Sequence, residues 1–294
     1  MLEFQGYEGD SLEKHVSEKE LYLKEKQNGE YKNLVLPKLV FFLTSRCTLK
    51  CKECTALIPE FQTTVDMDIN RVLEDMGKVF DAIDEVIVVQ LAGGESLLYP
   101  HLEKILKFLI AHEKVLGISF VTNATIIPKE SILALLEHPK VFISISDYGM
   151  LEKLSKIVAL FEKRGIAFEL FTSQHWIKVG GTEFRDKSKE QLQFEYLRCT
   201  NGEGCKMVEN GMLHICDRSA RMFMLGKFKS NHDYGPISFN SIECREIIKQ
   251  IYLADYADAC NYCDYANVDA QIIEPAEQIG NKIETSLYTI IKRK

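Results

Sequence analysis

Short apolar runs alternate with amphipathic stretches along the chain from about residue 39 to residue 172. Leu39 to Leu43 is wholly apolar, the pattern of a strand buried on both faces. Val86 to Leu91, Ile118 to Val121, Val141 to Ile145 and Ala167 to Phe171 repeat it. Between them lie helical patterns. The first runs from Asp68 to Ile83, with Ile69, Val72, Leu73, Met76, Val79, Phe80 and Ile83 at spacings of three and four. Pro100 to His112 is the second, with Pro100 suited to a first helical position. Pro128 to Leu136 is the third, and Leu151, Leu154, Ile157, Val158 and Phe161 line the fourth. Strands that alternate with helices predict an α/β fold whose parallel sheet is joined by crossover helices. Five such units fit an open or partial (β/α) barrel.

The regular alternation stops at about Ser173. Helices are expected at 187–197, 241–255 and 281–292, and a charged surface helix from Ser11 to Lys26. The expected organisation is a polar lead-in at 1–37, a partial barrel at 38–180, and a smaller cysteine-rich domain at 181–294.

Charge and composition narrow the function classes. With 36 Lys and Arg against 43 Asp and Glu, the net charge is −7, which disfavours a nucleic-acid partner. No apolar run reaches the ~18 residues of a membrane span, and Met1 to Asp10 lacks the basic start of a signal peptide. A cytoplasmic location is expected. The nine cysteines are too sparse for a disulfide scaffold. In a reducing compartment, clustered cysteines point to metal binding or catalysis.

Three of them fall within eight residues, Cys47-Thr-Leu-Lys-Cys51-Lys-Glu-Cys54, directly after the first strand. Thiolates are soft ligands that favour iron–sulfur clusters or zinc. Structural zinc takes four ligands, and no fourth Cys or His is local. Three ligands leave one metal position open for another molecule. The alternative is a zinc site completed by a distant residue. Polar or special residues also follow the other predicted strands: Gly93-Gly94-Glu95, Asn123, Asp147 and His175-Trp176. In parallel α/β folds, ligand chemistry gathers at those carboxyl ends.

Cys-x3-Cys-x2-Cys after the first strand of an α/β barrel resembles the radical S-adenosylmethionine (radical SAM) superfamily. The resemblance covers roughly residues 38–172 and implies that Cys47, Cys51 and Cys54 hold three irons of a [4Fe-4S] cluster. The fourth iron would bind S-adenosylmethionine, whose reductive cleavage yields a 5'-deoxyadenosyl radical that abstracts a hydrogen atom from substrate. Gly93-Gly94-Glu95 is similar to the family's Gly-Gly-Glu motif. There glycines admit close backbone approach, and the carboxylate suits the methionine ammonium. Ser96 replaces the usual following Pro. Glu53 replaces the usual aromatic residue, whose backbone lies near adenine. Thr122, Asn123, Ser144 and Ser146 resemble ribose-facing positions; the alternative is strand-end polar residues that cap turns.

A second set, Cys199-x11-Gly211-x4-Cys216 followed by Cys260-x2-Cys263, resembles the Twitch module, a shortened relative of the SPASM domain. That resemblance implies one auxiliary [4Fe-4S] cluster on Cys199, Cys216, Cys260 and Cys263, with Cys205 able to replace Cys199. Four thiolates also suit a zinc ribbon. The chain ends before the further cysteines that full SPASM proteins carry. Cys244 lies at helical spacing with Ile248 and Ile251, which reads as a core position. The sharper reading makes Cys244 or Cys205 a hydrogen-atom donor.

Asp147-Tyr148 and His175-Trp176 can grip a polar substrate or move a proton. Trp176 serves equally as a rim anchor. Arg218 and Arg221 suit an anion site or a solvated surface. His15, His112 and His232 give no site signal. The layout is similar to the butirosin-pathway radical SAM dehydrogenases, which oxidise an aminocyclitol alcohol. The resemblance therefore implies oxidation of a sugar, amino sugar or polyol, free or on a carrier. The auxiliary cluster would take an electron, and flavodoxin or ferredoxin would supply the reducing one. The alternatives are epimerisation through a cysteine, modification of a ribosomal peptide, and a zinc-binding interaction protein without SAM chemistry.

Overall fold

The computed structural model describes residues 34–148, 151–172 and 175–280. The expected helices at Ser11 to Lys26 and 281–292 lie outside the described residues, as do most of the lead-in and His15.

Five parallel strands carry the first half: β1 (Val35–Thr44), β2 (Glu85–Gly93), β3 (Val115–Thr122), β4 (Val141–Asp147) and β5 (Ala167–Thr172). The crossovers are helices α1 (Ile69–Ala82), α2 (Leu102–Ala111), α3 (Glu130–Leu136) and α4 (Leu151–Arg164). Every strand and helix expected up to residue 172 is present, with ends shifted by a few residues. Each end follows from local chemistry. Asp68 caps α1 by accepting the amides of Asn70 and Arg71 at 3.0 and 2.9 Å. α2 starts later than Pro100 suggested. A 3-10 turn at Ser96–Leu98 precedes it, and His101 is its cap residue, so Pro100 sits just outside the helix.

The remaining elements are a short β6 (Trp176–Ile177), helices α5 (Lys189–Arg198) and α6 (Thr200–Gly204), strands β7 (Met207–Glu209) and β8 (Met212–His214), helix α7 (Asp217–Met224), β9 (Tyr234–Pro236), helix α8 (Ser241–Leu253) and β10 (Ile272–Ile273). Three of these strands extend the main sheet, whose order is β5-β4-β3-β2-β1-β7-β8-β9. β7 pairs parallel to β1, whereas β8 and β9 are antiparallel. Asn210 and Gly211 join β7 to β8, with φ of 45° and 78°. Two positive φ values in a two-residue hairpin loop match the type I′ turn that Asn-Gly favours.

β1 is central, and Leu39 to Thr44 are buried on both of its faces, as befits a strand with parallel neighbours on each side. α8 packs against α1 on one face. Among the described residues, no helix is long and apolar enough to cross a membrane. Parallel pairing places the carboxyl ends of β1 to β5 along one edge, where the loops bearing the candidate chemistry emerge.

Candidate iron–sulfur and S-adenosylmethionine site

The cysteine loop begins at the end of β1, and Asp66 anchors its root. The Thr44 hydroxyl donates to Asp66 at 2.6 Å, and Arg46 Nε reaches both carboxylate oxygens at 3.0 and 2.9 Å. These contacts, Arg46 foremost, lower the Asp66 pKa. Cys47 Sγ accepts from the Leu49 amide at 3.4 Å and from Asn123 Nδ2 at 3.6 Å. Cys51 Sγ accepts from Gln278 Nε2 at 3.2 Å.

Gln278 belongs to a segment that clamps the loop from outside. Ile279 donates its amide to the Lys50 carbonyl, and Lys52 donates to that of Glu277, each at 2.8 Å. The Lys50 amide in turn donates to Gln278 Oε1 at 2.6 Å. Burial, first among the causes, raises the pKa of all three thiols. A bound cation reverses that preference and holds each as thiolate.

Gly93 and Gly94 lie against the same loop. A β-carbon at Gly93 would come 2.5 Å from the Thr44 carbonyl oxygen, and one at Gly94 would come 2.3 Å from that of Arg46. Only glycine fits. Glu95, expected to meet the methionine ammonium, follows them. The residue is wholly buried, and its carboxylate points to the end of β3. One oxygen accepts from the Thr122 hydroxyl at 3.0 Å and the Asn123 amide at 2.9 Å, the other from the Leu97 amide at 3.2 Å. Burial raises its pKa, and these donors partly offset the shift. Glu95 and Thr122 thus set Asn123, whose side chain reaches Cys47 and Thr48.

These elements enclose a cavity of about 420 Å³. Cys47, Cys51, Cys54, Glu53, Gly94 and Asn123 line it. Ser146, Tyr148, His175 and Trp176 line it too, with Trp176 edge-on to Tyr148 at 5.4 Å. The Glu53 carboxylate accepts from the Gly180 amide at 3.2 Å. Gly93, Glu95, Thr122, Ser144 and Asp147 are not among the lining residues. Ser144 donates to Glu169 of β5 at 2.5 Å, and Asp147 accepts from Thr172 at 3.5 Å. On a strand, alternate side chains face opposite ways, so Ser146 faces the cavity and Asp147 does not.

Cys199, Cys216, Cys260 and Cys263 together line a second, narrower cavity. Backbone amides point at three of the sulfurs. Gly202 donates to Cys199 at 3.1 Å, Ser219 to Cys216 at 3.5 Å and Tyr265 to Cys263 at 3.5 Å. Cys205 and Cys244 line neither cavity. Cys244 is 1% exposed within α8, among core residues.

A solvated surface describes neither arginine, and Arg218 is among the residues that line the four-cysteine cavity. Arg218 is buried and donates to the Gly180 and Gly181 carbonyls at 3.2 and 2.9 Å. Arg221 is fully buried, pairs with Glu209 and lies 3.6 Å from the centre of the Phe42 ring.

The donor chemistry fits iron–sulfur clusters: soft sulfur in a set of three and a set of four. Among the described residues, no three of His, Cys, Asp and Glu are grouped to hold a single metal ion. Gln278 and Tyr265 were missed from sequence. Tyr265 follows Cys263 by two residues, the one hint available; Gln278 carries none.

Residues 41–165 match the model of the Radical SAM superfamily. The chain is 32% identical over 108 residues to the antilisterial bacteriocin subtilosin biosynthesis protein AlbA of Bacillus subtilis strain 168. The match covers 36% of this chain, and the chain spans 23% of the length of that relative. Among solved structures, anSMEcpe with bound AdoMet has a TM-score of 0.50 and 17% identity, covering 79% of this chain and 83% of its own. SuiB of Streptococcus suis bound to precursor peptide SuiA has a TM-score of 0.39 and 21% identity, covering 55% of this chain and 37% of its own. The family match supports a radical SAM assignment for residues 41–165, and the likeness to anSMEcpe supports the fold.

Proposed function

We propose that this chain is a radical SAM enzyme that carries two [4Fe-4S] clusters and acts on a peptide. The observation that carries the reading is the pair of adjoining cavities, one walled by three cysteines and the other by four. When bound, the first cluster and S-adenosylmethionine supply a 5'-deoxyadenosyl radical for hydrogen-atom abstraction, given an electron from a donor such as flavodoxin or ferredoxin.

The chain's own residues have definable tasks. Cys47, Cys51 and Cys54 hold the first cluster. Asn123 and Gln278 donate to two of those sulfurs, which tunes the cluster they bind. Gly93 and Gly94 bring backbone close to the cofactor. Glu95 acts through Asn123 rather than on the cofactor directly. His175 and Ser146 line the same cavity as the three cysteines and offer polar groups to the substrate there, and His175 is suited to take the proton that an oxidation releases. Cys199, Cys216, Cys260 and Cys263 hold the second cluster, which serves as electron acceptor.

AlbA's printed role in bacteriocin biosynthesis favours a peptide substrate. The expected sugar, amino sugar or polyol draws no support from the relatives. The placement of Cys205 and Cys244 away from both cavities favours oxidation over thiol-dependent epimerisation.

The test is anaerobic turnover of S-adenosylmethionine with dithionite, followed by mass spectrometry. Wild type should release 5'-deoxyadenosine, and a Cys47/Cys51/Cys54→Ala protein should release none. Short peptides encoded beside the gene should raise that release and emerge two hydrogens lighter. Stimulation by aminocyclitols and not by peptides would refute the peptide reading.

A further inference from the structure

Three residues, Thr55, Val179 and Tyr265, line both cavities. They come from three separate loops, each tied to a proposed cluster. Thr55 follows Cys54 directly. Tyr265 follows Cys263 by two residues, and its amide donates to the Cys263 sulfur at 3.5 Å. Val179 is held between them. Its carbonyl accepts the Asp264 amide at 3.0 Å, and the next two carbonyls, of Gly180 and Gly181, accept from Arg218 of α7. Tyr265 is the largest member of this partition. Thr200, one residue after Cys199, holds its hydroxyl at 3.5 Å.

We propose that Tyr265 is a positioning residue: its ring is the partition between the four-cysteine cavity and the substrate cavity, and it limits the solvent that reaches the first through the second. The proposal rests on the second cluster of the proposed function. The reduction potential of an iron–sulfur cluster depends on its exposure to solvent. The ring therefore sets the exposure of the second cluster, and the hydroxyl is secondary.

The test uses the full chain with Cys47, Cys51 and Cys54 changed to Ala, so that only the second site can hold iron. Tyr265, Tyr265→Phe, Tyr265→Leu and Tyr265→Ala forms are reconstituted anaerobically. Iron content, the electron paramagnetic resonance spectrum after reduction, and the rate of cluster bleaching by ferricyanide are then measured.

The expected result is unchanged bleaching for Phe and several-fold faster bleaching, with altered g-values, for Ala. The Leu form, which keeps bulk without the full ring, should fall between them and replaces Ala if the Ala form does not fold. Equal rates in all forms, or equal acceleration in Phe and Ala, would overturn the partition while leaving the second cluster standing. A triple-cysteine variant that binds no iron would instead overturn the second cluster, and the partition with it.

Discussion

A β-carbon on Gly94 would lie 2.3 Å from the carbonyl oxygen of Arg46, closer than two such atoms can approach. The contact is backbone against backbone, so no side chain can turn aside to relieve it. Gly94→Ala is expected to cost about 2–3 kcal/mol, the upper range for overpacking, and to impair loading of the first cluster. Gly77 is the control, because a β-carbon there meets nothing within 4 Å. Gly77→Ala, in the middle of α1, should gain about 1 kcal/mol. Urea unfolding of both variants, with iron content, reads the difference.

In the proposed account Glu95 acts on the site through Asn123, whose amide donates to its carboxylate at 2.9 Å. Truncation to Ala leaves the Asn123 and Leu97 amides without their acceptor, a loss of about 1–3 kcal/mol. Glu95→Gln keeps a carbonyl oxygen where Thr122 and Asn123 donate. It should therefore retain most stability and most affinity for S-adenosylmethionine in calorimetry. Equal loss of affinity in Gln and Ala forms would mean that the carboxylate charge itself faces the cofactor.

The sequence left Cys199 and Cys205 as rivals, and of the two Cys199 is the one that lines the four-cysteine cavity, which supports it as the proposed ligand. Cys199→Ala should lose the second cluster's iron, whereas Cys205→Ala should keep it. Cys244→Ala should keep all iron and lose about 1 kcal/mol of stability, as removal of a buried atom predicts. Iron assays and thermal melts on the three variants distinguish these roles.

Asp233 provides a pH signature. Burial, only partly offset by the Ala259 and Asp258 amides, raises its pKa to about 6 from an ordinary 3.8. The folded state then binds more protons than the unfolded chain between those values. Stability from this group is complete below pH ~4 and is lost as pH rises through ~6, a fall of about 3 kcal/mol. Asp233→Asn removes the titration and should remove that slope. Urea midpoints of both proteins at pH 4, 5 and 6.5 measure it, and parallel slopes would contradict the assignment.

The first half of the fold was legible because two periodicities alternate cleanly there. Apolar runs as short as Leu39 to Leu43 suit strands buried on both faces better than helices, and their order leaves few sheets to build. β7 and β8 were not read, since three-residue strands carry almost no period. Their one signal is the Asn210-Gly211 turn. The cysteine motif and the glycines were legible because local spacing carries them. The direction of Glu95 was not, because it depends on Thr122 and Asn123, which meet it only once β3 lies beside β2. The same holds for Gln278, which reaches Cys51 from 227 residues away. The buried setting of Arg221 was hidden for that reason too. Arginine reads as surface until Glu209 and Phe42 are placed around it.

The most direct test of the two-cluster account is iron and acid-labile sulfide per chain after anaerobic reconstitution, in wild type and in the Cys47/Cys51/Cys54→Ala protein. The account predicts about eight irons in wild type and about four in the variant, with matching sulfide. About four irons falling to none would contradict the second cluster, and zinc in place of iron would contradict the radical chemistry altogether.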